Sequence, residues 1–366
     1  MFNWFLVGLT VIFMVLTIYV VKTNSSMITI FVSKSDKQVE QLQEEQLILR
    51  SQVYDLQHSL KVARSIHEYD RRDVFKSIYR DYKKAVFFIR VEYGVKRTHS
   101  PEIKIIPSFG TGFFIRPDGV AVTALHVLYP WQYDKRFLIL DQLGRVTKTD
   151  HWKISIWMYD KEVNEETFMG QYERKDLKIL HKGKQVFKTQ FGESPFGVTF
   201  YNYPELEKTS DIVVFQIIDF KRKFPYIPLP ISKVRLNEFD KVMSMGFPFA
   251  RLKNGKTIPQ PTKGFIRRLD SDSLETDISL HPGSSGGPVF DDSGRFVGVA
   301  SALIDNKPTY SISTKVDDVQ NAWKEIRREF RIKQRQVKRI GCDPGPIDGI
   351  PGKRTWKAIR ECILQQ

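Results

Sequence analysis

The sequence predicts a mainly β domain with helical flanks, and three observations carry that expectation. Between about residues 85 and 322, short apolar and β-branched runs alternate with Gly, Pro, Asp and Asn turns, as at 85–91, 109–127, 210–217 and 294–299. Ahead of them stand an apolar run and then a heptad pattern, both helical signals. Behind them stands a basic stretch with helical spacing. The expected division is 1–22 a transmembrane anchor, 23–84 a linker and coiled-coil helix, 85–322 the β domain, and 323–366 a small helical domain.

The first element is the run 4–21, which carries no Asp, Glu, Lys or Arg. Eighteen residues at the helical rise span ~27 Å, about one hydrocarbon core. A cleaved signal peptide is the competing reading. Met1-Phe2-Asn3 carries no Lys or Arg and no small-x-small site follows, which favours an uncleaved single span. Lys22, Lys34 and Lys37 would place the following chain in the cytoplasm by the positive-inside rule. The C-terminal segment argues for the opposite side and weighs more here. Next, Val39, Gln46, Val53 and Leu60 alternate with Leu42, Leu49, Leu56 and Ala63 as an a/d seam. Val at a with Leu at d favours a parallel dimer, with Gln46 fixing register; a trimer and a single amphipathic helix lying on the β domain stay open. The helix is expected to run on through Val74, Phe75, Ile78 and Tyr82.

Within the β domain, residues 109–127 read as strand, Pro-Asp-Gly turn, strand, and then His126 at the strand end. Asp211 opens the buried-looking strand Ile212-Val213-Val214-Phe215. Ser285 lies in Gly283-Ser284-Ser285-Gly286-Gly287-Pro288, where glycines permit a sharp turn and close approach of backbone to substrate. The N–H groups of Gly283 and Ser285 can converge on one spot and hold a developing oxyanion. A serine hydroxyl needs a base, imidazole titrates near neutrality, and a carboxylate can fix the imidazole tautomer. Asp134, Asp141, Asp150, Asp160 and Asp176 also lie between the histidine and the serine, but only Asp211 immediately precedes a buried-type strand. A histidine at a strand end and an aspartate before a strand are each ordinary surface chemistry when alone; the combination is what points to catalysis.

Taken together, residues 85–316 resemble the trypsin-like serine proteases, in the HtrA-type bacterial branch. Val242-Met243-Ser244-Met245-Gly246-Phe247-Pro248 is similar to the family's Gly-aromatic-Pro turn. The resemblance implies two six-stranded β-barrels, a catalytic triad of His126, Asp211 and Ser285, and an oxyanion hole from Gly283 and Ser285. It implies a substrate pocket bounded by Ser279, Ala300, Ser301 and Ala302, suited to a small or medium apolar side chain. Ser284 stands where the digestive enzymes carry an Asp, so activation by a freed N-terminus is not expected. The stretch 131–203 is longer than the family needs and is expected to add a hairpin or lid. No PDZ-like region is expected after the protease domain.

From Trp323 the chain is expected to form a basic helix closed by Gly341, then turns, then a helix from Trp356 with Thr355 as its N-cap. Asp348-Gly349-Ile350-Pro351-Gly352-Lys353-Arg354-Thr355 resembles the Asp-Gly-x-x-Gly-x-x-Thr core of bacterial peptidoglycan-binding domains, which implies a glycan contact through Asp348, Gly349, Gly352 and Thr355. Pro351 departs from the usual aromatic. A helical cap packed on the protease is the alternative. The only two cysteines, Cys342 and Cys362, both fall in this small segment, so a disulfide is expected, and with it an oxidising compartment. No metal site or cofactor is expected. The net charge of +15 suits anionic lipid or wall polymer; no base-reading module appears, so no specific nucleic-acid partner is expected.

The combined expectation is a single-pass inner-membrane serine endopeptidase facing the periplasm or cell envelope. It would act on protein or peptide substrates, form homo-oligomers through the coiled coil, and be tethered to peptidoglycan. The rival is a catalytically silent scaffold of the same fold linking membrane and wall.

Overall fold

A computed structural model describes residue 53 and residues 74–158, 172–183, 187–188, 191–193, 199–201, 205–206, 210–250, 258–271, 273–304 and 307–363. The apolar run 4–21 lies outside the described residues, as does the heptad stretch apart from Val53. Among the described residues no helix is long and apolar enough to cross a membrane.

A short helix, α1 (Val74–Tyr82), leads into the β domain and buries Ser77, Ile78 and Tyr82. Its last residue stacks on Phe290, with ring centroids 5.3 Å apart. The first half of the domain contains β1 (Val86–Arg97), β2 (Ile103–Phe114), β3 (Val120–Thr123), α2 (Leu125–Leu128), α3 (Lys135–Gln142), β4 (Val146–Trp157), β5 (Tyr172–Glu173) and β6 (Leu177–Lys182). Four short strands follow: β7 (Phe187–Lys188), β8 (Phe191–Glu193), β9 (Thr199–Tyr201) and β10 (Glu205–Leu206). Then comes β11 (Val213–Ile217).

The start of β1 is buried on both faces because it lies between two layers. Phe87, Ile89 and Val91 point into the first sheet's interior beside Phe114, Ile156 and Phe215. Val86 and Phe88 point to the opposite core with Met243, Phe247 and Phe290. The Pro117-Asp118-Gly119 turn joins β2 to β3 as expected. Gly119 has φ +88° and packs so close to the Ile217 carbonyl that a side chain would not fit.

The first sheet differs from the expected barrel. It has seven strands in the order β5-β4-β1-β2-β3-β11-β6, and among the described residues it curls without closing. The long stretch 131–203 supplies three of its strands, β4, β5 and β6. Part of it is integral rather than decorative: β4 pairs along the length of β1, and β6 pairs with β11. β5 then extends the edge beyond β4. Of the short strands that follow, β8 pairs with β9 and β7 with β10, both separate from the main sheet.

The second half is a closed six-stranded barrel in the order β12-β13-β14-β17-β16-β15. Its strands are β12 (Lys241–Gly246), β13 (Gln260–Leu269), β14 (Ser273–Thr276), β15 (Pro288–Asp291), β16 (Phe296–Ile304) and β17 (Lys307–Lys315). Val242, Ile266, Leu274, Val289, Val297 and Ala300 fill it.

Helix α4 (Val316–Arg339) starts directly after β17, seven residues before the expected boundary at Trp323. Val316, Val319, Ala322, Ile326, Phe330, Gln334 and Val337 form its buried face, at three- and four-residue steps. The basic residues that suggested a later start belong to the second half of a helix whose first turn is acidic, Asp317 and Asp318. Gly341, at φ +85°, ends it. Helix α5 (Lys353–Cys362) has Gly352, not Thr355, at its N-cap. Cys342 and Cys362 form a disulfide with Cα atoms 6.7 Å apart. The two helices share one apolar core with the β domain.

Candidate active site

The sheet register places the first two residues. β3 ends at Thr123, Ala124 is buried, and the chain turns into α2, which carries His126. β11 pairs with β3 through Val213↔Thr123, so Asp211, two residues before β11, lies beside that turn. The Leu125 amide donates to the Asp211 carbonyl oxygen at 3.3 Å. The His126 amide donates to Asp211 Oδ1 at 3.0 Å, and His126 Nδ1 lies 2.7 Å from Oδ2. An ionised carboxylate only accepts, so the ring proton sits on Nδ1 and Nε2 keeps its lone pair.

Asp211 is 5% exposed, and the Ser301 hydroxyl also donates to its Oδ2. Burial pushes the carboxyl upward, but the His126 charge and the hydrogen bonds from His126 and Ser301 outweigh it and hold Asp211 below its usual range. For His126, burial disfavours the imidazolium, while the Asp211 charge and hydrogen bond favour it and win; its pKa is raised. Tyr133 closes the outer side. Its ring meets the His126 ring edge-on at 5.5 Å, and burial followed by the Asp211 charge pushes its hydroxyl well above the ordinary phenol range. Of the other aspartates, Asp134 accepts from the Tyr93 hydroxyl at 3.2 Å and Asp176 from the Glu173 amide at 2.9 Å. Asp160 lies outside the described residues.

The serine loop hangs between three strands. The Gly286 amide donates to the Ala300 carbonyl at 2.6 Å, and the Ala300 amide returns a bond to the Gly287 carbonyl at 2.8 Å. Thr111, fully buried on β2, ties the loop to the first sheet. Its amide donates to the Ser285 carbonyl at 2.8 Å. Its hydroxyl donates to the Gly283 carbonyl at 2.7 Å and accepts the Phe247 amide at 3.1 Å. Gly286, at φ +88°, abuts the Thr111 carbonyl, Thr123 Oγ1 and the Ala124 amide. The residue after Ser285 therefore lies against the strand end that leads to His126. Ser285 itself is half-buried.

The amides of Ser284, Gly286 and Gly287 are all spent inside the protein, on the carbonyls of His281, Ala300 and Ser284. Those of Gly283 and Ser285 have no partner among the described residues. The Phe249 amide holds the Pro282 carbonyl at 2.6 Å, which turns the 282–283 peptide so that its carbonyl is engaged elsewhere. His281, half of a stacked pair with Phe249 at 4.5 Å, belongs to that support.

Of the expected pocket residues, Ser279 is half-buried after β14, and Ala300, Ser301 and Ala302 lie along β16. The Ser301 side chain faces Asp211 rather than an open pocket. Sequence reasoning does not pick out Ser301 and Tyr133 beside His126 and Asp211, or Thr111 beside the serine loop. Only Thr111 left a sequence signal, as the one hydrogen-bonding side chain between Gly110 and Gly112. Among the described residues no group of His, Cys, Asp or Glu is arranged to hold a metal ion.

The C-terminal motif folds inward. Gln334, fully buried, donates to Asp348 Oδ1 at 3.2 Å and to Thr355 Oγ1 at 3.0 Å, and accepts the Gly349 amide at 2.8 Å. Gly349 packs on the Arg327 backbone, where a Cβ would collide. The Thr355 hydroxyl donates to the Pro344 carbonyl at 2.9 Å; it fastens the loop and does not cap the helix. Gly352 caps α5 with open space around it. Gln216 on β11 donates to the Pro351 carbonyl at 3.0 Å and accepts the Trp356 indole N–H at 2.7 Å.

A family model described as a trypsin-like peptidase domain matches residues 110–299, more than half of the 366-residue chain. No curated protein sequence matches it. Among solved structures, Deg5 is similar with 16% identity and a TM-score of 0.40, over 70% of this chain and 94% of that one. A serine endoprotease from Yersinia pestis has 16% identity and a TM-score of 0.40, over 69% of this chain and 65% of that one. The HtrA-type protease AlgW with a decapeptide has 15% identity and a TM-score of 0.43, over 66% of this chain and 63% of that one. The chain thus spans somewhat under two thirds of the last two proteins.

Proposed function

The chain belongs to the trypsin-like peptidase family, and from that premise we propose that it is an active serine endopeptidase working through an acyl-enzyme. Ser285 attacks the scissile carbonyl while His126 Nε2 takes its proton. Asp211 holds the ring in that tautomer and stabilises the imidazolium that forms. The oxyanion settles on the amides of Gly283 and Ser285, and His126 then protonates the leaving amine. A water molecule, activated by the same histidine, releases the acyl group. The carrying observation is the combination of a 2.7 Å contact between His126 and Asp211 with two unspent amides flanking Ser284. The test is labelling of the full chain, in detergent, by a fluorophosphonate probe. Labelling that disappears in Ser285→Ala supports the mechanism; no labelling of the unmutated chain supports the silent scaffold.

The finer reading is an HtrA-type enzyme, anchored in the inner membrane by residues 4–21, oligomeric through 39–63, and facing the envelope, with a small or medium apolar residue preferred before the cut. The apolar run, the heptad seam and the Cys342–Cys362 disulfide support it. Wall tethering through Asp348, Gly349, Gly352 and Thr355 draws on the motif alone. A specific observation favours the cap reading for this segment: Gln216, Pro351 and Trp356 bond α5 to the first sheet. Sedimentation with purified peptidoglycan separates the two. A tether is expected to pellet with the wall and lose that binding in Lys353→Glu/Arg354→Glu, at exposed positions; a cap stays in the supernatant.

A further inference from the structure

A recess of about 690 Å³ lies away from the triad, walled by the end of β2, the connector between the two halves and α4. It falls within the size range of ligand-binding clefts. A second recess of about 380 Å³ shares Lys233 and Asp317 with it and continues past Arg235 and Lys315 towards the closed barrel. The two recesses adjoin at Lys233 and Asp317, by the start of α4, as a two-part groove.

The charge in this groove is one-sided and partly fixed in place. Arg116, Lys233, Lys324 and Arg327 line the larger recess with one carboxylate, Asp317, and of the four Arg116 is paired with a further carboxylate, Asp118. Arg116 is bonded to Asp118 at 3.2 Å and stands over the Trp323 ring at 5.2 Å. Arg327 donates to the Asp348 carbonyl at 3.0 and 3.3 Å. Lys233, Arg235 and Lys324 have no hydrogen-bond or ion-pair partner among the described residues. Apolar side chains share the lining: Leu229 and Ile231 in the larger recess, Val234 and Leu236 in the smaller.

We propose that this groove binds an extended acidic peptide segment of another protein. The two joined recesses suit a single extended chain. A lining that combines cations with apolar side chains suits a chain carrying both acidic and apolar side chains. A nucleic-acid strand would need open aromatic faces for its bases, and the Trp323 ring already carries Arg116. A membrane surface would need a protruding face, whereas these residues line a recess.

The test uses the full chain in detergent with Ser285→Ala to prevent cleavage, and fluorescence anisotropy of a short labelled peptide alternating Glu with Leu. The double variant Lys233→Glu/Lys324→Glu is expected to weaken binding by about tenfold or more, because two attractive contacts become repulsive. A control, Lys353→Glu/Lys357→Glu on the exposed side of α5, makes the same change in net charge and is expected to leave affinity nearly unchanged. Equal loss in both variants would mean diffuse attraction to a basic protein and would overturn the proposal. So would unchanged affinity in the groove variant, or complete displacement of the peptide by a single-stranded oligonucleotide at lower concentration. Labelling of the groove variant with Ser285 restored, at the unmutated rate, shows that it is folded.

Discussion

Replacing Asp211 by Asn tests the catalytic reading at its most buried point. The carboxylate has two unequal oxygens. Oδ1 accepts the His126 backbone amide, and Oδ2 accepts both His126 Nδ1–H and the Ser301 hydroxyl. An asparagine must place its NH2 at one of them. At Oδ1 it would face a backbone N–H, which cannot become an acceptor. At Oδ2 it faces an imidazole nitrogen and a hydroxyl, both of which can. The amide therefore settles with NH2 towards Nδ1, the ring proton moves to Nε2, and the lone pair that Ser285 needs is lost. The site keeps its shape and its hydrogen bonds. The expected fall in kcat is about 10⁴-fold, or about 5 kcal/mol of transition-state stabilisation. Peptide hydrolysis and the rate of fluorophosphonate labelling measure it, with the melting temperature recorded alongside. A loss under about tenfold in a folded variant would refute the argument that Asp211 sets the tautomer.

Two further predictions follow from the same geometry. In Gly286→Ala the new Cβ collides with the Thr111 carbonyl and Thr123 Oγ1, and φ +88° disfavours any side chain; the expected cost is at least about 1–3 kcal/mol, with labelling lost, and an unchanged denaturation midpoint would show the loop is not held as described. The pH profile carries a sign. His126 is raised by Asp211, and only the neutral ring is a base, so kcat/KM is expected to fall as pH drops through a value above the ordinary 6.5. The same pair contributes stability that is fully present below the unfolded histidine value and is lost as pH rises through the raised folded one. The stability from Asp211 is present above its unfolded value and lost as pH falls through its depressed folded one. An acid limb at or below 6.5 would contradict the pairing.

Local pieces whose chemistry is written in adjacent residues were legible without the fold. The Pro-Asp-Gly hairpin, the strand after Asp211, the glycine-rich loop around Ser285 and the pairing of two cysteines in one small segment each follow from short-range patterns. The order His126, Asp211, Ser285 singled out these three residues before any geometry. Features that depend on contacts between distant residues were not legible in this way. That β4 is a principal strand beside β1, and not part of an added lid, depends on pairing across about sixty residues, which periodicity does not report. Ser301 is drawn to Asp211 because β16 runs beside the serine loop, and Thr111 reaches Gly283 only because two sheets meet there. The C-terminal motif reads the same whether its polar atoms face a glycan or Gln334. Only the packing of α4 and α5 against β11 turned them inward, because a buried amide and a buried hydroxyl must find partners, and here they found each other.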